Sequence, residues 1–116
     1  MSKILILANH YNTLRIFRRE LIKKLAALGN EVIISVPPAE QEEIDRLESS
    51  GSKVILTDME RRGMNPLKDI SLLNRYKKLI RDVNPDLVVT YTIKPNIYGS
   101  MACKSCKIPH YCNVTG

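Results

Sequence analysis

The chain has 116 residues, which is the length of one compact domain, and its 44% hydrophobic and 26% charged residues are typical of a globular protein. No apolar run approaches the roughly 18 residues that a membrane-spanning helix needs, so no membrane-spanning segment is predicted. The net charge of +6 favours anionic partners, but the 5% aromatic content and the lack of tryptophan argue against binding to nucleic acid.

The N-terminal segment and the cysteines both indicate a cytoplasmic protein. The apolar run that follows Lys3 is too short for the core of a signal peptide. The three cysteines, an odd number, fit reduced thiols better than a disulfide framework. We therefore expect a cytoplasmic location.

Apolar segments of two kinds alternate along the chain. Short apolar runs predict strands at 3–8, 30–36, 53–57, 87–91 and 108–114. Segments with apolar residues every three or four positions predict helices at 14–28, 39–49, 67–83 and from about 95 to 106, and a loop is predicted at 58–69. This order predicts an α/β fold: a Rossmann-like parallel sheet of about five strands, in the order 3-2-1-4-5, with helices on both faces.

The spacing of apolar residues also predicts which side of each long helix is buried. In the first helix this side consists of Leu14, Phe17, Leu21, Leu25 and Leu28. In the helix at 67–83 it consists of Ile70, Leu73, Tyr76, Leu79, Ile80 and Val83.

Basic residues occupy much of the remaining surface of the first helix. They are Arg15, Arg18, Arg19, Lys23 and Lys24. A solvated outer face is the favoured interpretation, and contact with anionic membrane lipids is the alternative.

Polar residues follow the first and the fourth predicted strands. In an open parallel sheet, ligands bind in the crevice outside the carboxyl ends of the strands. Thr92, Lys94 and Asn96 follow the fourth strand, where a cation between a hydroxyl and an amide can hold a phosphate or sugar hydroxyls. His10 follows the first strand and can serve as a hydrogen-bond donor or base. A surface lysine before a helix and a solvated loop histidine are the alternative interpretations.

Two nucleotide-binding motifs are missing, and one set of metal-ligand types is present. The first turn, residues 8–13, contains no glycine, so a dinucleotide site of the G-x-G-x-x-G type is not expected, and no P-loop motif occurs. Cys103, Cys106, His110 and Cys112 include the ligand types of a zinc site. However, Cys103 and Cys106 fall on a predicted helix at a spacing that faces a core, so buried cysteines are the favoured interpretation.

Several segments resemble the N-terminal domain of GT-B glycosyltransferases of family 4, and most of all the bacterial subgroup that builds capsule, O-antigen and lipid-carrier-linked oligosaccharides. The resemblance covers essentially the whole chain. The segments that carry it are 3–8, 17–22, 29–32, 62–67, 90–99 and 113–116. The last two, TYTIKPNIYG and NVTG, are the most specific.

The resemblance implies a retaining enzyme that moves a sugar from a nucleotide-sugar donor to a polysaccharide or a lipid-carrier-linked acceptor. That acceptor is often a polyprenyl-diphosphate-linked saccharide at the inner face of the cytoplasmic membrane. In this family the N-terminal domain holds mainly the acceptor, the C-terminal domain binds the nucleotide and carries the E-x7-E type carboxylates, and no metal or other cofactor is needed. Residues 1–116 are then expected to be an acceptor-side fragment that is inactive alone.

The crevice and the resemblance together give a hypothesis for the substrate-binding residues of the intact enzyme. They are Asn9, His10, Thr13, Arg61, Arg62, Thr92, Lys94, Asn96, Asn113 and Thr115. Lys94 and Thr92 are expected to contact a phosphate of the acceptor or donor, and Arg61 and Arg62 to approach the anionic carrier. The glycine-rich first loop and the strand-end histidine of many family members are absent, so a histidine-based acceptor role is not carried over.

Two interpretations from other classes stay open. The first is a non-catalytic Rossmann-like binding or assembly module that recruits an acidic partner through its basic surface. The second, a nucleotide-sugar epimerase or dehydrogenase, is disfavoured by the glycine-free first turn. A homodimer is also predicted, because truncation of the domain would leave a sheet edge or an apolar face uncovered.

Overall fold

The computed structural model describes residues 2–8, 19–38, 40–49, 51–57, 66–91 and 94–113. The strands in these ranges are β1 (Lys3–Leu7), β2 (Glu31–Val36), β3 (Ser52–Leu56), β4 (Leu87–Tyr91) and β5 (His110–Asn113). The helices are α1 (Arg19–Ala27), α2 (Gln41–Glu48), α3 (Pro66–Val83) and α4 (Ser100–Cys106), and a π-helical segment (Pro95–Gly99) leads directly into α4. No helix within these ranges is long and apolar enough to cross a bilayer.

The five strands form one parallel sheet in the order β3-β2-β1-β4-β5, which confirms the predicted fold class and strand order. β1 lies at the centre, where Ile4 is opposite Val32 of β2 and Leu87 of β4. Because all the strands are parallel, their carboxyl ends lie at one edge of the sheet.

Both faces of β1 are buried, which explains its uninterrupted apolar run. Successive residues of a strand point to opposite faces. Ile4 and Ile6 therefore pack with Ile22 in the core beneath α1 and α2. Leu5 and Leu7 pack in the core beneath α3 and α4.

The buried side of α1 differs from the prediction. Leu21 and Leu28 are exposed, whereas Ile22 is fully buried. The sequence allows two neighbouring apolar stripes, one through Leu21 and one through Ile22, and packing against the sheet selects the second. Leu14 and Phe17, which belong to the predicted stripe, lie outside the described residues.

α3 begins at Pro66, inside the loop predicted for 58–69, and ends where the sequence predicts. Proline suits the first position of a helix, because its missing N–H has no partner there in any case. At the other end Asn84 adopts a left-handed conformation with φ 50°, and Pro85 cannot continue the helix. The start lies one residue before the predicted helix at 67–83, and Asp69 lies in the first turn of α3.

The buried face of α3 is predicted correctly except near its first turn. The predicted members that do pack in the core are Leu73, Tyr76, Leu79, Ile80 and Val83. Ile70, however, is 56% exposed, and Leu72, which was not predicted, is buried. The reason is that Asp69 occupies the inward position in the first turn, where it bonds to the segment after β4.

Candidate functional site

The segment after β4 places Lys94 and Asn96 at the carboxyl edge of the sheet. β4 ends at Tyr91, Lys94 is the residue that precedes the π-helical segment, and Pro95 begins that segment. The fourth predicted helix is therefore partly π-helical, which the sequence does not indicate. π-Helical turns are rare, and many of those known lie at functional sites.

The ammonium group of Lys94 is paired with a carboxylate that the sequence analysis did not single out. Lys94 Nζ lies 3.0 Å from Oδ1 of Asp69, in the first turn of α3. Only 14% and 17% of the two side chains are exposed. The charge of Lys94 is thus held in a fixed position by a neighbouring helix, unlike that of a solvated surface lysine.

Tyr98 bonds to the other oxygen of the same carboxylate. Its hydroxyl donates a hydrogen bond of 3.0 Å to Asp69 Oδ2. The hydrogen bond from Lys94 lowers the pKa of Asp69 from its ordinary 3.8, and the bond from Tyr98 adds to this effect. The same bond raises the pKa of Tyr98 above 10.0, because it stabilises the neutral phenol. We call Asp69, Lys94 and Tyr98 the Asp69 cluster.

Asn96 is tied to the end of β4. The buried hydroxyl of Thr90 donates a hydrogen bond of 2.7 Å to Asn96 Oδ1. The amide oxygen therefore contacts the protein interior, and this bond fixes the segment to the sheet. Contact between Asn96 and a ligand stays a prediction.

Gly99 sets the distance between the π-helical segment and the sheet. A Cβ atom at this position would lie 2.8 Å from Leu7 Cδ1 and 2.8 Å from Thr90 Cγ2, which is closer than real Cβ atoms approach. The φ of Gly99, −64°, suits any residue. Glycine is therefore required here for space and not for backbone conformation.

The other predicted substrate-binding residues are described only in part. Those outside the described residues are Asn9, His10, Thr13, Arg61, Arg62, Thr92 and Thr115. The backbone of Asn113 pairs with Tyr91 at the carboxyl ends of β5 and β4. It therefore lies at the predicted edge, and its role there stays a prediction.

The predicted membrane-facing residues belong to α1 and to the residues before it. Lys23 and Lys24 are exposed on α1, and Arg19 begins that helix. Arg15 and Arg18 lie outside the described residues. Contact of this face with lipid stays a prediction.

The cysteines of α4 face the protein interior, as predicted. Cys103 is fully buried, and Cys106 is half-buried with its Sγ 3.9 Å from the carbonyl oxygen of Lys77. His110 begins β5 and is half-buried, with Nε2 2.9 Å from the hydroxyl of Ser100.

A separate cleft of about 400 Å³ lies between β3 and α3. Its lining consists of Ile55, Leu56, Thr57, Arg75, Lys78, Leu79 and Asp82. No member of the Asp69 cluster contributes to this lining, so the cleft is distinct from the predicted site.

Residues 3–115 match the protein family described as glycosyl transferase 4-like. The chain belongs to this family. A curated relative from Campylobacter jejuni, N,N'-diacetylbacillosaminyl-diphospho-undecaprenol α-1,3-N-acetylgalactosaminyltransferase, is 31% identical over 94 residues. The match covers 81% of this chain but only 24% of the relative, so the chain spans about a quarter of that protein's length.

Solved structures share the fold at low sequence identity. MurG from Acinetobacter baumannii superposes with a TM-score of 0.76 at 15% identity, over 98% of this chain and 35% of that protein. A deacetylase from teicoplanin biosynthesis gives the same TM-score of 0.76 at 12% identity, over 94% of this chain and 65% of that protein. Since a deacetylase shares the fold, the fold alone does not decide the reaction, and the sequence match carries the family assignment.

Proposed function

We propose that this chain is the acceptor-side domain of a longer retaining glycosyltransferase. The enzyme moves a sugar from a nucleotide-sugar donor to a polysaccharide or to a saccharide linked to a polyprenyl diphosphate. The observation that carries the proposal is the family match over residues 3–115. The name of the Campylobacter jejuni relative supports the lipid-linked acceptor, because it specifies a diphospho-undecaprenol substrate.

The chain matches only part of the length of each relative, which supports the division of the enzyme into two domains. The chain matches about a third of MurG and a quarter of the Campylobacter jejuni enzyme. We assign donor binding and the reacting carboxylates to a C-terminal domain, and acceptor binding to the carboxyl edge of the sheet described here. No metal or other cofactor is part of this proposal. On this view residues 1–116 alone do not catalyse transfer.

The Asp69 cluster supports the location of the acceptor site. It lies where ligands bind in open α/β sheets, and it holds a lysine in a fixed position beside the helix that follows β4. A positioned lysine can stabilise an anionic group such as the diphosphate of a lipid carrier. Asp69 holds Lys94 and Tyr98 in place and partly neutralises the charge of the lysine. We therefore assign a positioning role to Asp69 and Tyr98, and ligand contact to Lys94.

Transfer by the full-length protein tests this assignment. We expect Lys94→Ala to lower kcat/KM for a polyprenyl-diphosphate-linked acceptor by roughly tenfold or more, the range for a lost charged hydrogen bond. Lys53→Ala, which removes an exposed lysine from the edge strand β3, is the matched control and should have little effect. Unchanged transfer by Lys94→Ala would refute the ligand contact.

A second comparison separates contact from positioning. If Lys94 touches the diphosphate, Lys94→Ala should reduce kcat/KM more for the diphosphate-linked acceptor than for an uncharged glycoside acceptor. Asp69→Asn should reduce both by similar factors, because it only releases the lysine from its position. If Lys94→Ala and Asp69→Asn had the same ratio of kcat/KM between the diphosphate-linked and the uncharged acceptor, Lys94 would have a positioning role alone.

The proposed acceptor also implies a place in the cell. We propose that the enzyme works as a peripheral protein at the inner face of the cytoplasmic membrane, where a polyprenyl-linked saccharide and a cytoplasmic nucleotide-sugar can meet. The undecaprenol-linked substrate of the relative and the net charge of +6 support this location. The predicted homodimer stays a prediction.

A further inference from the structure

The crevice of this sheet lies between β1 and β4. β1 pairs with β2 on one side and with β4 on the other. The chain passes from β1 to β2 and from β4 to β5, so the two connections lead away from each other at the carboxyl edge. Ligands of open α/β sheets bind at such a point, where the strand order reverses. A ligand in this crevice therefore lies close to the ends of β1 and β4.

Thr90 occupies this point in β4. It lies opposite Leu7 of β1, and its side chain is fully buried. Its methyl group lies beneath Gly99, where an added Cβ would be 2.8 Å from Thr90 Cγ2. Its hydroxyl donates the hydrogen bond of 2.7 Å to Asn96 Oδ1. A β-branched side chain has little freedom about χ1, so packing of the methyl group also fixes the direction of the hydroxyl.

The bond from Thr90 determines which end of the Asn96 amide faces the protein interior. Oδ1 of Asn96 points to the buried hydroxyl, whereas the Asn96 side chain as a whole is half-buried. Nδ2 is on the other side of the planar amide and carries two hydrogens. The donor end of Asn96 is therefore turned away from β4, and it suits a ligand that offers acceptor oxygens.

A second buried hydroxyl lies on the other side of Leu7 and is paired differently. Ser35 of β2 is also opposite Leu7 and is also buried. Its hydroxyl donates a hydrogen bond of 2.6 Å to Oγ1 of Thr57, which is buried as well. That bond keeps both hydroxyls in the interior. On the β4 side, by contrast, the buried hydroxyl holds a side chain that is partly exposed.

Lys94 and Asn96 have different neighbours. Lys94 bonds to Asp69 of α3, and Asn96 bonds to Thr90 of β4. Residues two positions apart in a helix do not face the same side. A ligand that reaches both residues therefore presents an anionic part to Lys94 and a neutral part with oxygen atoms to Asn96. In a saccharide linked to a diphosphate, these two parts are the diphosphate and the sugar.

We propose that Asn96 Nδ2 donates a hydrogen bond to a sugar oxygen of the acceptor, and that Thr90 is the positioning residue that orients this amide. The inference rests on the proposed lipid-linked acceptor and divides its site into two parts. Lys94 holds the diphosphate, and Asn96 recognises the saccharide. Thr90 acts through Asn96 and does not touch the ligand.

Binding of two kinds of probe to the full-length protein tests the contact with Asn96. Farnesyl diphosphate carries the diphosphate alone, and farnesyl diphosphate linked to glucose, galactose or N-acetylglucosamine adds a sugar. The quantity compared is the gain in affinity from the sugar, measured by titration calorimetry for each variant. We expect a gain for at least one sugar in the wild type, and Asn96→Asp should reduce it by roughly fivefold.

Asn96→Asp suits this test because it keeps an oxygen for the Thr90 hydroxyl and removes the donor. An effect of its charge on the diphosphate weakens both kinds of probe and cancels in the gain. Lys94→Ala should weaken both kinds of probe and leave the gain unchanged. A wild-type gain in Asn96→Asp, with an unchanged urea midpoint, would overturn the amide contact.

The positioning role of Thr90 is tested with the same gain in affinity. Thr90→Val keeps the methyl contact with Gly99 but removes the hydroxyl, so the gain should fall by about threefold, and Thr90→Ser should restore most of it. Thr57→Val removes a hydroxyl from the other buried pair and is the matched control. It should unfold at lower urea but keep the wild-type gain.

A double variant shows whether Thr90 acts through Asn96. In the Asn96→Asp background, Thr90→Val should lower the gain no further. A further loss of the same size there would overturn the positioning role, as would a Thr90→Ser variant that restores nothing. If Asn96→Asp does not fold, Thr90→Val and Thr90→Ser decide the proposal through the same gain.

The wild-type protein separates failure of this inference from failure of the proposed function. Equal affinity for farnesyl diphosphate and for all three sugar-linked probes would refute the saccharide contact and leave the lipid-linked acceptor intact. Binding of neither kind of probe would refute the proposed acceptor, and the saccharide contact with it.

Discussion

The two helical layers on the sheet use charged side chains in different ways. In the α1–α2 layer, Arg46 pairs with Glu42 and Glu43 of its own helix, and the Arg46 and Glu42 side chains are 52% and 75% exposed. In the α3–α4 layer, Asp69 joins two different chain segments through largely buried bonds to Lys94 and Tyr98. Exposed pairs within one helix contribute little to stability. Among the described residues, it is the α3–α4 layer that uses charge to fix the geometry of the predicted site.

The largest expected effects test whether the two layers nevertheless share one kind of core. Leu72→Ala under α3 and Ile22→Ala under α1 should each lower the free energy of unfolding by about 2–5 kcal/mol, because each truncates a buried side chain. Leu67→Ala and Leu28→Ala, at exposed positions of the same layers, should cost about 0.5 kcal/mol or less. Urea unfolding measures all four. A large loss in one layer only would show that the cores are unequal.

A smaller effect is expected where the α3–α4 layer approaches the sheet most closely. Gly99→Ala should cost about 1–3 kcal/mol, because its Cβ meets the buried side chains of Leu7 and Thr90. The added Cβ of Gly29→Ala, in the turn after α1, meets no atom within 4 Å. This variant should cost only roughly 1 kcal/mol of unfolding free energy, because a residue other than glycine is strained at the left-handed φ of +90°.

The valine variants at the same two positions sharpen the contrast. Gly99→Val should be markedly less stable than Gly99→Ala, since each added methyl group deepens the clash. At Gly29 the corresponding step should be smaller, because valine there meets no neighbouring atom and adds only the strain of a β-branched residue at φ +90°. Equal steps at both positions in urea unfolding would contradict the close packing of the π-helical segment.

The smallest expected difference between the two layers is in how the stability contributed by their ion pairs depends on pH. The pKa of Asp69 is lowered in the folded protein by the hydrogen bond from Lys94, so the carboxylate stabilises the fold at neutral pH. This contribution should begin to fall as the pH drops toward 3.8, the ordinary value, and should be gone below the lowered pKa of the folded state. Asp69→Asn should therefore destabilise the protein at pH 7 but not at strongly acidic pH.

Glu42→Gln is the matched control for this pH dependence, since it removes one carboxylate from the exposed pair with Arg46. Its urea midpoint should stay close to that of the wild type at every pH. An acid-sensitive loss in Glu42→Gln as large as that in Asp69→Asn would remove the distinction between the layers.

Local sequence patterns could locate some residues of the predicted site but not others. Lys94 and Asn96 follow a strand and precede a helix, which is why their position at the carboxyl edge could be predicted. Asp69 could not be found in this way, since 25 residues separate it from Lys94 and an aspartate in a first helical turn is ordinary. Tyr98 stands in the same segment as Lys94, but its bond also depends on where α3 lies.

The sequence by itself determined the order of strands and helices, the parallel sheet and the family. These depend on residue periods, on the helix-stopping pair Asn84 and Pro85, and on matching segments, all of which are local properties. Only the tertiary structure decided that Ile22 replaces Leu21 in the core, that Gly99 touches Leu7, and that Asp69 holds Lys94. The physical reason is that packing chooses among helix faces that have similar apolar spacing, and that side-chain pairs form between segments far apart in the chain.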